Sequence, residues 1–305
     1  MDGIPLLVAA LRGHIQGNPL SFLLRHDLTP GLESILGDCN GPNSGYDVLR
    51  QHLSQYTRDH YGDLDPENDK DEKSESGALL RLLRQGLSHL TEFPQGPVLD
   101  MGCSVGRGSF ELASRTDALV LGVDLNFSML QVAARVLREG RVRYPRRRVG
   151  MVYDRRDFPV ALEGSERVDY WFCDALDLPF TQPGFGFVSS LNLLDCLSSP
   201  VSHLESLEGL VHPQGRVALA SPYDWNPGAS GPEYWIGGHS QRSAEGGSST
   251  TWIRRLLEGG PPFEGYGWKI VGEDERVSWS VRLHERSRVE YHSHLMVLAR
   301  AMQAD

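Results

Sequence analysis

Four polar positions stand at the carboxyl ends of four apolar runs. Asp100 lies in the run 97–101, Asp124 follows 118–123, Asp174 follows 168–173, and Asn192 with Asp195 follows 185–191. Between Asp100 and the helical pattern that opens at Ser109 runs a glycine turn, Gly102 to Gly108. Such a turn bends the main chain sharply and, at Gly102 and Gly106 with Cys103 between them, lets a nucleotide-like ligand approach the backbone. The helix that follows aims free N–H groups at the same place. A carboxylate at the tip of the next strand, such as Asp124, accepts both hydroxyls of a ribose. Asp174, with Ala175 beside it, is placed to accept an adenine amino group.

These positions need a scaffold that brings strand tips together. Apolar runs are expected to form strands at 97–101, 118–123, 168–173, 185–191, 215–220, 268–272 and 288–299. Helical spacing is expected at 78–90, 127–138, 201–210 and 251–258, and over much of 1–60, where Leu6, Leu7, Ala10 and Leu11 share a face. Strands alternating with helices imply a parallel sheet covered on both faces, with ligands beyond the carboxyl ends of the strands. The chain divides into an N-terminal helical extension with an acidic loop (1–90) and a catalytic domain (91–305). Within the latter, the Gly/Ser/Pro-rich segment 222–250 reads as a lid. Residues 64–76 read as a solvated acidic loop and 141–148 as a solvated basic loop, with MVYDRRDFPV part of a hairpin or an arm.

The turn also narrows the ligand. A dinucleotide site has G-x-G-x-x-G, whereas here the order is Asp100-x-Gly102-x-x-x-Gly106. An acid ahead of the first glycine suits a cationic ligand bearing an amino group, S-adenosylmethionine (SAM), better than a pyrophosphate.

DMGCSVG, GVDLNFSML and CDALDLPF together resemble the motifs of class I SAM-dependent methyltransferases, over roughly residues 95–300. The resemblance implies an α/β fold, a seven-stranded, mostly parallel, doubly wound Rossmann-like sheet with its last strand antiparallel. It implies SAM held by Asp100, Gly102, Cys103, Gly106, Asp124, Leu125, Asp174, Ala175 and Asn192. Ser104 departs from the pattern, standing where the family has its middle glycine. More narrowly, LDMGCSVGRGSFELA, LNLLDCL and ALASPYDWNPGASGPEYWIGG are similar to the methyltransferase domain of ovothiol-synthesis enzymes, which methylates the imidazole of 5-thiohistidine. Asn192-Leu193-Leu194-Asp195 is also similar to protein-histidine N-methyltransferases.

Methyl transfer to an imidazole needs alignment and tautomer control more than a strong base, because a ring with pKa about 6.5 is largely neutral at pH 7. An acceptor for the ring N–H fixes the tautomer and stabilises the imidazolium as charge develops. Asp195 is the candidate for that acceptor, Asn192 for its orienting partner, and Tyr223 and Trp225 for walls around the ring. Tyr56 and Tyr61 are candidates to cover the cofactor, Asn126 and Phe127 to edge the adenine, and Arg107, Arg282, Arg286 and Arg288 to meet a carboxylate. The expected substrate is a small histidine derivative. A peptide substrate, or a silent SAM-binding partner subunit, are the alternatives.

Composition sets the boundaries. Thirty Lys and Arg against 40 Asp and Glu give a net charge of -10, which argues against generic binding to nucleic acid or anionic membranes. Four cysteines without metal spacing read as reduced thiols, no metal is expected, and no apolar run reaches membrane-spanning length. A cytoplasmic protein is expected.

Overall fold

The computed structural model describes residues 1–25, 27–260 and 263–301; the end of the expected domain, 302–305, lies outside them. Its centre is set by the most apolar stretches. β2 (Val98–Met101) is buried at every position and β7 (Phe185–Leu191) at all but its last. Strands without a polar face belong in the middle of a parallel sheet, covered on both sides. With β3 (Val120–Asp124), β6 (Val168–Cys173), β8 (Val211–Ser221), β9 (Trp268–His284) and β10 (Ser287–Arg300) they form the order β6-β3-β2-β7-β8-β10-β9. β10 runs antiparallel to β8, and the strands before it are parallel to their neighbours. This is the Rossmann-like architecture expected, with one strand more. Leu6–Leu7, expected to be helical, form β1, which adds to the sheet edge beside β6.

The parallel order places Asp100, Asp124, Asp174 and Asn192 at the tips of four adjacent strands, β2, β3, β6 and β7. Helices α7 (Arg107–Ala113), α8 (Phe127–Glu139) and α9 (Pro200–Leu210) follow three of these tips, and α10 (Ser249–Glu258) precedes β9. α8 begins where Asn126 caps it, accepting the N–H of Met129, and stops at Gly140 in the left-handed region (φ 60°).

The extension consists of α1 (Leu11–Gly17), α2 (Pro19–Leu23), α3 (Pro30–Asn40), α4 (Gly45–Tyr61), α5 (Lys70–Glu75) and α6 (Ala78–Ser88). Both charged segments differ from expectation. The basic residues lie on a hairpin, β4 (Arg141–Val149) with β5 (Val152–Pro159). Its arginines are paired: Arg141 and Arg143 with Asp157, Arg146 and Arg148 with Asp154, and Arg156 with Asp65 and Glu67. Asp65 is fully buried, so the acidic segment is a docked strap rather than a solvated linker. The first four pairs lie within the hairpin itself, whereas Arg156 meets carboxylates 91 and 89 positions away, which only tertiary contact shows.

β9 and β10 also run past the sheet. The expected strand stopped at Gly272, yet β9 continues to His284 as a ribbon with β10. Val277, Trp279 and Val281 alternate with Ser278 and Ser280 there, a period-two signal that follows the charged run 273–276.

Candidate active site

A cavity of about 310 Å³ lies over the strand tips. Its floor is Gly102 and Ser104 of the turn, Asp124 and Asn126 after β3, and Leu191, Asn192, Leu193 and Cys196 after β7. Its roof is His52, Tyr56, Asp59 and His60 of α4, Leu79 of α6, and Trp279 of the ribbon. A larger hollow, about 850 Å³, opens at the opposite edge of the sheet between Gln95, Gly184 and His212, away from the polar tips.

Backbone strain gathers at the floor, in Ser104 and Asn192, and just beyond it, in Tyr223. Ser104, Asn192 and Tyr223 have φ of 53°, 53° and 58°, a region costing a non-glycine residue about 1–2 kcal/mol. Ser104 thus adopts the backbone its glycine-bearing relatives would, and its N–H donates to Asp124 Oδ2 at 2.8 Å. Asp124 Oδ1 accepts the N–H of Asn126 at 2.7 Å. Each carboxylate oxygen keeps a lone pair, so the pair of ribose hydroxyls remains acceptable to it. Burial raises the Asp124 carboxyl above its ordinary value, against these two N–H donors.

The two turn glycines do different work. A Cβ on Gly102 would stand 3.0 Å from Leu193 at the cavity floor. A Cβ on Gly106 would meet the Tyr170 hydroxyl at 2.4 Å, so its bareness serves the packing of β6 rather than ligand approach. Asp100 sits beneath the turn. Its carboxylate accepts the hydroxyls of Ser109, at 2.7 Å, and Ser189, and it does not line the cavity. Burial raises its pKa, eased by these two hydroxyls. Its position supports the turn from inside. Cys103 is buried with its thiol pushed well up by burial and the nearby Asp124 and Asp100 carboxylates, so it is inert.

Asp174 accepts the N–H of Leu176 at 2.9 Å and Ala175 is buried; both lie at the β6 tip, outside the cavity lining. Leu125 is exposed between Asp124 and Asn126. Phe127 is fully buried and stacked on Phe22 with centroids 4.8 Å apart, so it cannot edge a ligand. Tyr61 is also core, donating to Val105 O at 2.8 Å. Tyr56 does line the cavity, where burial and the nearby Cys196, Tyr291, Asp124 and Asp195 raise its pKa.

At the β7 tip, Asn192 Oδ1 accepts the hydroxyl of Ser293 at 2.8 Å, while its Nδ2 is buried without a partner. Asp195 Oδ2 accepts the N–H of Asp224 at 2.8 Å, and its Oδ1 is likewise buried and unpartnered. Burial raises the Asp195 carboxyl; Asp195 itself does not line the cavity, whereas Leu193 and Cys196 on either side of it do. Tyr223 and Trp225 stack on each other, centroids 6.1 Å apart, and neither lines the cavity. The segment 222–250 does not roof it. Trp225 stacks on Trp235 and donates to Ser249, packing the segment against α10. The roof is instead α4 and the ribbon. His60, whose Nδ1 accepts the N–H of Arg107 at 3.3 Å, is held neutral by burial, its pKa lowered to about 3.

The cations expected to meet a carboxylate are engaged elsewhere. Arg107 pairs with Asp63, Arg282 with Glu72 and Glu75, and Arg288 with Glu75; Arg286 is exposed at the ribbon tip. His294 bonds Tyr223 and Glu273, and no group of three or more potential metal ligands occurs among the described residues.

Comparison with known proteins agrees with this architecture. A family model described as a methyltransferase domain matches residues 93–245, half of the chain, and the chain belongs to that family. Methyltransferase GfsG of Streptomyces halstedii is 26% identical over 178 residues, 57% of this chain and 55% of that protein. The chain therefore spans about half the length of that relative. Among solved structures, Haemonchus contortus phosphoethanolamine N-methyltransferase 2, in complex with phosphomonomethylethanolamine and S-adenosylhomocysteine, is 22% identical, covering 54% of this chain and 36% of that one (TM-score 0.34). The YcgJ protein of Bacillus subtilis is 13% identical, covering 73% and 100% (TM-score 0.48).

The family draws its methyl group from SAM, and the residues present fit that ligand. Asp124 offers ribose acceptors, Ser104 and Gly102 offer exposed turn backbone, and Asn192 Nδ2 is a buried donor without a partner. Among the described residues no helix is long and apolar enough to cross a membrane.

Proposed function

We propose that this chain transfers a methyl group from SAM to an imidazole nitrogen of a histidine derivative, a 5-thiohistidine-like small molecule. The observation that carries the reading is the pair of unpartnered buried atoms after β7. Asn192 Nδ2 is a donor and Asp195 Oδ1 an acceptor, four residues around one bend. A buried polar atom without a partner costs about 1–3 kcal/mol, so the pair is poised for groups brought by ligands. Bound SAM supplies an electrophilic methyl carbon and a good leaving group. Asp195 Oδ1 accepts the imidazole N–H, which selects the tautomer whose lone pair faces the methyl. As the ring becomes cationic its proton stays on that N–H, and the carboxylate opposite stabilises it. Neutral Tyr56 and the indole of Trp279 cover this end and exclude water. The separate free cysteines support a reducing, cytoplasmic setting.

A second reading, a peptide imidazole as acceptor, is favoured by one observation. Among the described residues that line the cavity there is no arginine or lysine. A free amino acid brings a carboxylate that nothing basic here neutralises, whereas a histidine within a peptide does not. Incubation with labelled SAM and a panel of histidine, 5-thiohistidine, carnosine and histidine peptides separates the two. Label on the small thiolated acceptor alone supports the first reading, label on peptides alone the second, and no label on any imidazole rejects both. Asp195→Ala is expected to lower turnover about a hundredfold with SAM affinity unchanged; normal turnover would move the acceptor elsewhere.

A further inference from the structure

Behind Asp195 runs a chain of part-buried polar contacts that its role as acceptor does not require. Arg254 Nε donates to Glu273 Oε1 at 2.8 Å. The same oxygen lies 2.7 Å from His294 Nε2, and His294 Nδ1 lies 2.5 Å from the Tyr223 hydroxyl. Burial works against the Glu273 carboxyl, but the hydrogen bonds from Arg254 and His294 outweigh it and hold its pKa below the ordinary value. A carboxylate only accepts, so Nε2 carries a proton; in the neutral ring Nδ1 then offers its lone pair and Tyr223 donates. His294 is 2% exposed.

The chain ends on the strained turn. Tyr223, at φ 58°, is pinned at its N–H by Ser221 Oγ, at 3.0 Å, and at its hydroxyl by His294. The next N–H, of Asp224, is the one that reaches Asp195 Oδ2. Without the far anchor, a bulky residue would leave the left-handed region and carry that N–H away. The neighbouring residue of β10, Ser293, holds Asn192 from the other face of the sheet.

We infer that His294, oriented by Glu273 and Arg254, is a positioning residue: it locks the Tyr223–Asp224 turn so that Asp195 has one oxygen satisfied and one aimed at the acceptor. This deepens the imidazole reading and rests on it for its kinetic test. The groups facing His294 are Tyr223 from the β8 tip, Glu273 from β9 and, beyond it, Arg254 from α10. Because they hold geometry rather than move a proton to substrate, what matters is an acceptor at 273, not its charge.

The test uses the full chain with an acceptor that wild type methylates, four single variants and one double variant. His294→Ala and Tyr223→Phe are each expected to lower kcat about a hundredfold, the scale of an ångström-sized misplacement, with the SAM Kd by calorimetry within about twofold. The double variant is expected to lose no more than either single one, since both break one chain. Glu273→Gln keeps an oxygen acceptor and is expected to retain kcat within about threefold, whereas Glu273→Ala is not. Full activity of His294→Ala, or additive losses in the double variant, overturns the proposal. So does a uniform loss of SAM binding. A second readout is independent of turnover: nitrogen-15 NMR of labelled histidine is expected to show His294 as the Nε2–H tautomer, and to lose that signature in Glu273→Ala. A different tautomer in wild type also overturns it. If wild type methylates no imidazole, the substrate reading fails on its own, and the NMR result still decides the chain.

Discussion

The floor of the cavity is backbone and carboxylate fixed at the tips of a fully packed sheet, whereas its roof sets α4 beside a ribbon whose flanks are held by ion pairs. Asp124, Ser104 and Asn192 owe their places to β2, β3 and β7, whose side chains are almost wholly buried. The roof sets α4 beside the β9–β10 ribbon, and ion pairs tie the ribbon to α5 and β4: Arg282 with Glu72 and Glu75, Arg288 with Glu75, and Arg148 with Glu285. Core packing tolerates little displacement, while partly exposed ion pairs are worth about 0–1 kcal/mol each. The ribbon side of the roof is therefore expected to yield more easily than the floor.

Four measurements sharpen or break this contrast. Asp124→Ala should weaken SAM binding a hundredfold or more, the loss of two charge-assisted hydrogen bonds at about 1.5–3 kcal/mol each; unchanged affinity by calorimetry would remove Asp124 from the floor. Asp65→Ala should destabilise the chain by about 3 kcal/mol in urea unfolding, because it strips a buried guanidinium, Arg156, of its fully buried partner. A change below about 1 kcal/mol would mean that Glu67 alone satisfies it.

The third concerns Asp59, which faces the cavity while accepting the N–H groups of Ala78 and Leu79 at the start of α6. Burial outweighs those bonds and raises its carboxyl to about 6. The folded chain then holds this proton more tightly than the unfolded one, so its contribution is full below the ordinary carboxylate pKa and fades as pH rises through about 6. Wild type compared with Asp59→Asn should show a stability difference that falls between pH 4 and 7; a rise would mean the anion is well accommodated. The smallest effect belongs to the ion pairs of the ribbon. Glu72→Gln, or added salt, should speed hydrogen exchange in the ribbon severalfold and leave β2 and β3 unaltered. Equal protection in both regions would show that the roof is as rigid as the floor.

The floor was far more legible in the sequence than the roof. Asp124 and Asn192 were readable because each ends an apolar run, and parallel strands put such ends on one side. Gly106 and Asp100 were readable as part of the turn, but not as packing for Tyr170 and as a bond acceptor for Ser109 and Ser189, since those partners come from other strands and helices. Leu6–Leu7 misled because two leucines carry no period, and an edge strand is decided by what lies beside it. The roof residues, Asp59, His52 and Trp279, sit in segments whose immediate neighbours are largely polar, and they meet over the cavity only because α4 and the ribbon, remote in sequence, come together.

By itself the order of residues determined the parallel sheet, the glycine turn and which polar groups crown its strands, because alternation, burial and turn chemistry act over a few neighbouring positions. Tertiary structure alone decided that a strand extension rather than the glycine-rich segment covers the cavity, that the arginines are spent on distant carboxylates, and that His294 stands behind Tyr223. Each of these is a meeting between side chains remote in sequence, and no local period records such a meeting.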